Sequence, residues 1–248
     1  MIITGGTAYQ GYAVGIMKLE GRRYPLPPGD VASPLSYPYP VLVREIPGVD
    51  DNPYPPIINA DGSYTEVVQK CIDAAVRLER DGVSSIAMCC GFFSLIQPVI
   101  AAAVSIPVLT SPLIMIPVIH QMLKPAQSVV VVTASKKLLT GEFFAAVGAD
   151  INQRVTIAGL DDSAVFNSMC MGGSATSYET DDLRSDVIAA IEQAQQEDPD
   201  IGAVLLECTT LPPYAADISQ RLGLPVFDFI ACVNWMQRAL VPVRYPGT

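Results

Sequence analysis

Hydrophobic positions along the chain fall into short apolar runs that alternate with stretches of 3.6-residue periodicity. Tyr12–Met17 and Pro40–Ile46 read as strands. Between them, Arg22–Tyr39 carries prolines at 25, 27, 28, 34 and 38, which deny it helix. Its aromatic Tyr24, Tyr37 and Tyr39 predict a loop that packs. From Ser63 a helical pattern begins, with Glu66 placed as in a capping box and Val67, Cys71, Ala74, Ala75 and Leu78 on one face up to Arg80. A buried strand follows over Val83–Cys89, then a helix from Ser94 to Val104 and a strand over Ile106–Leu109.

The second half repeats this order. Strands are predicted at Ser128–Val132, Arg154–Ala158, Gly202–Leu206 and Pro225–Phe229. Helices are predicted at Leu139–Val147, Asp182–Gln196, Tyr214–Leu222 and around Trp235, with a loop over Gly172–Ser177. Strands alternating with helices give an α/β protein with parallel sheets. Cys90 is followed 17 residues later by Pro107-Val108, and Cys208 by Pro225-Val226 at the same distance. Each cysteine ends an apolar strand, which makes internal duplication the better reading of the chain.

Composition bears on class. The 248 residues are 50% hydrophobic and only 16% charged, which excludes disorder. No Asp, Glu, Lys or Arg occurs from Gly82 through Leu123, yet Pro98, Pro107, Pro112 and Pro117 cut that run, so a buried core is expected and not a membrane span. A net charge of −10 argues against nucleic acid as a partner. Met1–Gly6 lacks the basic and long apolar segments of a secretion signal, so a cytoplasmic setting with reduced cysteines is expected. A surface so short of charge is expected to be covered in part by a second copy, giving a dimer.

A thiol at a strand end before a helix sits in that helix's positive field, which favours thiolate and binds a carboxylate. Two such thiols across a cleft suit inversion at a carbon acid: one removes the α-proton and the other returns a proton on the opposite face. Cys71, Cys170 and Cys232 read as core, and Cys89 points away from its neighbour Cys90. His120, the single histidine, reads as structural, and the absence of a Cys-x-x-Cys pair or second histidine argues against a metal. Gly172-Gly173 lacks the ending of a phosphate loop, and Arg22 and Arg23 are candidates for a carboxylate clamp.

The stretches Ile86–Phe92 and Leu205–Pro212 resemble the aspartate/glutamate racemase superfamily, which also holds hydantoin racemases, maleate isomerases and arylmalonate decarboxylases. The likeness runs from about Tyr12 to Leu240. It implies two pseudo-symmetric α/β lobes with the active site in the cleft between them, no cofactor, and a small carboxylate as substrate. Residues 1–112 with 225–248 would form the N-terminal lobe, and 113–224 the C-terminal lobe. Cys90 and Cys208 match the catalytic cysteines. Gly91, Phe92, Thr133, Thr209 and Thr210 match substrate-binding positions. The racemases' Cys-Asn-Thr and Cys-Thr-His are here Cys90-Gly91-Phe92 and Cys208-Thr209-Thr210, without the amide and imidazole that hold an amino acid. The Pro-rich opening resembles the algal dimethylsulfoniopropionate lyases. Racemisation or epimerisation is the first expectation. Lyase, decarboxylase or isomerase chemistry on the same scaffold is the second, and a silent carboxylate-binding protein the third.

Overall fold

The computed structural model describes residues 6–21, 24–50 and 57–245. In chain order these form β1 (Val14–Glu20), β2 (Val41–Asp50), α1 (Glu66–Asp81), β3 (Ile86–Met88), α2 (Gln97–Ala103), β4 (Val108–Leu109) and α3 (Ile116–Met122). The second half gives β5 (Ser128–Thr133), α4 (Gly141–Ala145), β6 (Val155–Gly159), α5 (Ala164–Met169) and α6 (Thr180–Glu197). It ends with β7 (Ile201–Leu206), α7 (Ala215–Leu222), β8 (Val226–Asp228) and α8 (Phe229–Leu240). The described strands make two four-stranded parallel sheets, ordered β2-β1-β3-β4 and β6-β5-β7-β8. Matching each strand to the one four places later superposes the two orders, so the repeat read from the cysteine spacing is a repeat of topology.

Each sheet is covered by helices whose buried faces follow the expected period. α1 buries Val68, Cys71, Ala75 and Leu78 against Met17, Ile86 and Met88. α6 buries Leu183, Val187, Ile191 and Ala194 against β5 and β6. Parallel strands covered on both faces read as continuous apolar runs, and every residue of β5 and β7 is buried. The α1 turn ends at Gly82, whose φ of 104° is left-handed, and a methyl group there would meet Thr7 at 2.6 Å.

The structure shifts several expected boundaries. α1 starts after Thr65, not Ser63, because Ser63 is held by the Asp61 carboxylate in a turn before the helix. The helix expected from Ser94 begins as a 3-10 turn, Gly91–Ile96, and turns α-helical only at Gln97. Pro98 dictates this, since a residue without N–H is tolerated in a helix's first turn and not further in. α3 and α5 are additional short helices.

The ends of the two halves are exchanged between the lobes. β8 pairs with β7 in the second sheet, so residues 226–228 do not sit with the N-terminal lobe to which the sequence reading gave 225–248. α8 does: Phe229, Cys232 and Val233 pack on Val14, Ile16 and Ala87 of the first sheet. The mirror case follows β4, where Leu113, Ile116 and Ile119 join the core of the second sheet. Asp228 sets the second crossing by accepting the Ala231 N–H at 2.7 Å, which caps α8 as the chain leaves β8. Among the described residues no helix is long and apolar enough to cross a membrane; the uncharged run holds β3, α2, β4 and α3.

Candidate active site

Cys90 lies two residues beyond the end of β3, and Cys208 two residues beyond the end of β7. Their strands hold the same position in the two sheets, third in each order. Both face the carboxyl ends of parallel strands, where open α/β sheets place their ligands. Both are half-buried, whereas Cys71, Cys89 and Cys232 are buried. Burial pushes the Cys71 and Cys232 thiols up to about 12, as inert core positions require.

The two turns meet. A methyl group placed on Gly91 would stand 2.5 Å from the carbonyl oxygen of Glu207 and 2.5 Å from its carboxyl carbon, and closer still to Oε1. The residue after the first cysteine therefore packs directly on the residue before the second. Glycine at 91 is a requirement of that approach. Phe92 carries the contact on into the second lobe, its ring 5.4 Å from that of Phe143 in α4.

The field at the thiols differs from the helix N-terminus that the sequence suggests. Cys90 is followed by the 3-10 turn Gly91–Ile96, and Cys208 by residues 209–211 and the 3-10 turn Pro212–Tyr214. Cys90 is the cap position of the first of these turns, and the α-helices proper begin only at Gln97 and Ala215, beyond the single turn over which a helix's axial dipole acts. Next to Cys208, the Thr210 hydroxyl lies 3.4 Å from the sulfur.

The other expected site residues are placed as follows. Gly91, Phe92, Thr133, Thr209 and Thr210 are all buried: four adjoin the cysteines in sequence, and Thr133 reaches the second turn through Glu207. The Thr133 hydroxyl donates to Glu207 Oε2 at 2.8 Å, so its hydrogen is committed to the protein. The Thr209 carbonyl accepts the Val31 N–H at 3.3 Å. That bond, with Gly29 packed on Pro213, lays the Pro-rich segment across the Cys208 turn. Tyr24 and Tyr37 are buried, and the Tyr37 hydroxyl donates to the Val31 carbonyl at 2.9 Å, so the segment is packed as its aromatics predict. Arg22 and Arg23 lie outside the described residues. His120 Nε2 is 3.2 Å from the Arg154 carbonyl, and burial lowers its pKa, in keeping with a structural role.

Sequence reasoning missed Glu207. It is 2% exposed, and burial pushes its carboxyl from 4.5 up to about 7 against the opposing pull of the Thr133 hydrogen bond. The signal was available: a lone acid closing the strand Ile201–Leu206, whose six residues are all buried. Acids are seldom fully buried unless they serve a partner.

Comparison with known proteins fits this arrangement. The family model for Asp/Glu/hydantoin racemases matches residues 43–236, from within β2 to within α8. The chain is 30% identical over 235 residues to a dimethylsulfoniopropionate lyase from Durusdinium sp. clade D, covering 92% of this chain and 75% of that one. It is 29% identical over 243 residues to dimethylsulfoniopropionate lyase 6 from Emiliania huxleyi, with 92% of this chain but 60% of the relative covered. A glutamate racemase from Bacillus anthracis shares the fold with a TM-score of 0.59 at 14% identity, over 94% of this chain and 82% of that one. Unliganded arylmalonate decarboxylase does so at 0.55 and 16%, over 95% and 94%. Both cysteine turns lie inside the matched region, and the chain belongs to the Asp/Glu/hydantoin racemase family.

Proposed function

We propose that this protein removes the α-proton of a small carboxylate with a cysteine thiolate and completes a β-elimination, acting on dimethylsulfoniopropionate or a close analogue. The observation that carries the reading is the mirrored placement of Cys90 and Cys208, each just past the third strand of its sheet, on turns that touch through Gly91 and Glu207. It supports proton transfer at a carbon held between them. The choice of elimination over inversion, which the sequence reading ranked first, rests on the 30% identity to a dimethylsulfoniopropionate lyase over 92% of this chain.

The chemistry is consistent with the surroundings. In β-elimination the base takes the α-proton, the freed electron pair forms the Cα–Cβ double bond, and the Cβ–S bond breaks. The sulfonium leaves as neutral dimethyl sulfide, and acrylate remains. The substrate carries one positive and one negative charge, so it has no net charge to be matched. That suits the first cysteine's half of the site, where Gly82–Leu123 supplies no Lys, Arg, Asp or Glu. Glutamate, with two carboxylates, would need cationic partners that this stretch does not offer.

The test is incubation with dimethylsulfoniopropionate, with sulfide read in the headspace and acrylate by NMR. Equal yields of the two are expected. A parallel panel of aspartate, glutamate, hydantoins and arylmalonates in deuterated water covers the second reading, favoured by the two-thiol symmetry. There, α-deuterium would enter a chiral carboxylate without release of sulfide. Deuterium incorporation with no sulfide would replace elimination by racemisation, and silence across the whole panel would leave a binding protein.

A further inference from the structure

Glu207 directly follows β7 and precedes Cys208. Its Oε2 takes the hydrogen of Thr133, which ends β5 in the same sheet. Its Oε1 is buried with no hydrogen-bond partner among the described residues, and it faces Gly91 on the first lobe's cysteine turn. A buried polar atom without a hydrogen-bond partner is costly. An apolar side chain of similar volume would avoid that cost while filling the same space, so packing alone does not account for an acid here.

We propose that Glu207 is a positioning residue: its carboxyl clasps the Cys90–Gly91 turn to the ends of β5 and β7, and so fixes the Cys90 sulfur relative to Cys208. The clasp needs both of its sides. Thr133 orients the carboxyl from within the second lobe, and the missing side chain at 91 lets the first lobe's backbone come against it. The other contact of the first turn with the second lobe, that of Phe92 with Phe143 in α4, is apolar and does not reach the Cys208 turn. The proposal rests on Cys90 and Cys208 as the working thiols, and its test does not depend on any substrate.

The test is the rate of iodoacetamide alkylation resolved by peptide, with Cys170, half-buried and far along the second lobe's chain, as internal reference. Glu207→Gln keeps the shape and the acceptor for Thr133, and its Cys90 rate is expected within about twofold of wild type. Glu207→Ala and Gly91→Ala free the turn, and Cys90 is expected to react about tenfold faster relative to Cys170. If either alanine variant fails to fold, Glu207→Asp keeps the acid but withdraws its reach, and is expected to label like the alanine variant. With dimethylsulfoniopropionate as substrate, kcat should fall about tenfold in Glu207→Ala with KM within threefold, and Glu207→Gln should restore it. Unchanged Cys90 labelling in the Ala and Asp variants, or a Gln variant that labels like Ala, would overturn the clasp. A wild-type protein that releases no sulfide yet shows these labelling shifts would sink the elimination reading and leave the clasp standing.

Discussion

Replacing by alanine whichever of Cys90 and Cys208 takes the α-proton is expected to lower turnover by about 10²–10⁴-fold, the contribution of a positioned acid–base group. Circular dichroism should stay unchanged, because both side chains are half-buried and neither anchors a core. Cys170→Ala serves as the control and should stay within twofold of wild type. The two chemistries separate on the serine variants. Elimination asks for one base, so one serine variant should retain measurable turnover while the other does not. Inversion asks for both, and each serine variant should then lose racemisation while one still exchanges the α-proton with deuterated solvent. Turnover surviving in the double alanine variant would remove the cysteines from the mechanism.

The second large effect is on stability and follows from Glu207. Burial raises its carboxyl from 4.5 in the unfolded chain to about 7 in the folded one. Folding therefore favours the protonated form. The benefit is complete below pH 4.5 and is lost as pH rises through about 7, once the folded protein must hold a carboxylate away from water. At 1.36 kcal/mol per unit, the loss between those limits is roughly 3 kcal/mol. Glu207→Gln carries no proton to lose. Urea denaturation of the two proteins from pH 5 to pH 8 should show the glutamine variant gaining on wild type by up to that amount, most steeply between pH 5 and 7 and levelling off by pH 8. A difference that does not change with pH would mean that the carboxyl is solvated or paired in the folded protein.

Much of the architecture is legible in the order of residues because its signals are local. β5 is a run of four valines between Ser128 and Thr133, and α1 and α6 are long enough to display their period. The cysteine-to-proline spacing exposes the repeat because each βα unit spans the same length in both halves. What escaped depends on contacts distant in sequence. α3 and α5 have seven and six residues, too few for a periodic face, although Ser163 caps α5 by accepting the Phe166 N–H. The placement of β8 with one lobe and α8 with the other is decided by which sheet offers a paired edge and which an uncovered face. Within the site, the two thiols are visible as strand-end cysteines. The commitment of Thr133 to Glu207 arises only when β5 and β7 pair, and the need for glycine opposite that acid only when the lobes come together.

The exchanged helices bear on how the molecule holds its shape. α3 leaves the first sheet to cover the second, and α8 leaves the second to cover the first. Severed after β4, the N-terminal piece would have a bare sheet face, and the C-terminal piece would carry a helix with no surface of its own to rest on. The plan is that of two half-length chains that have traded their last helices and then been joined end to end. Each lobe thus holds a hostage from the other, and the two cannot part like the jaws of a hinge unless a helix first comes off its sheet.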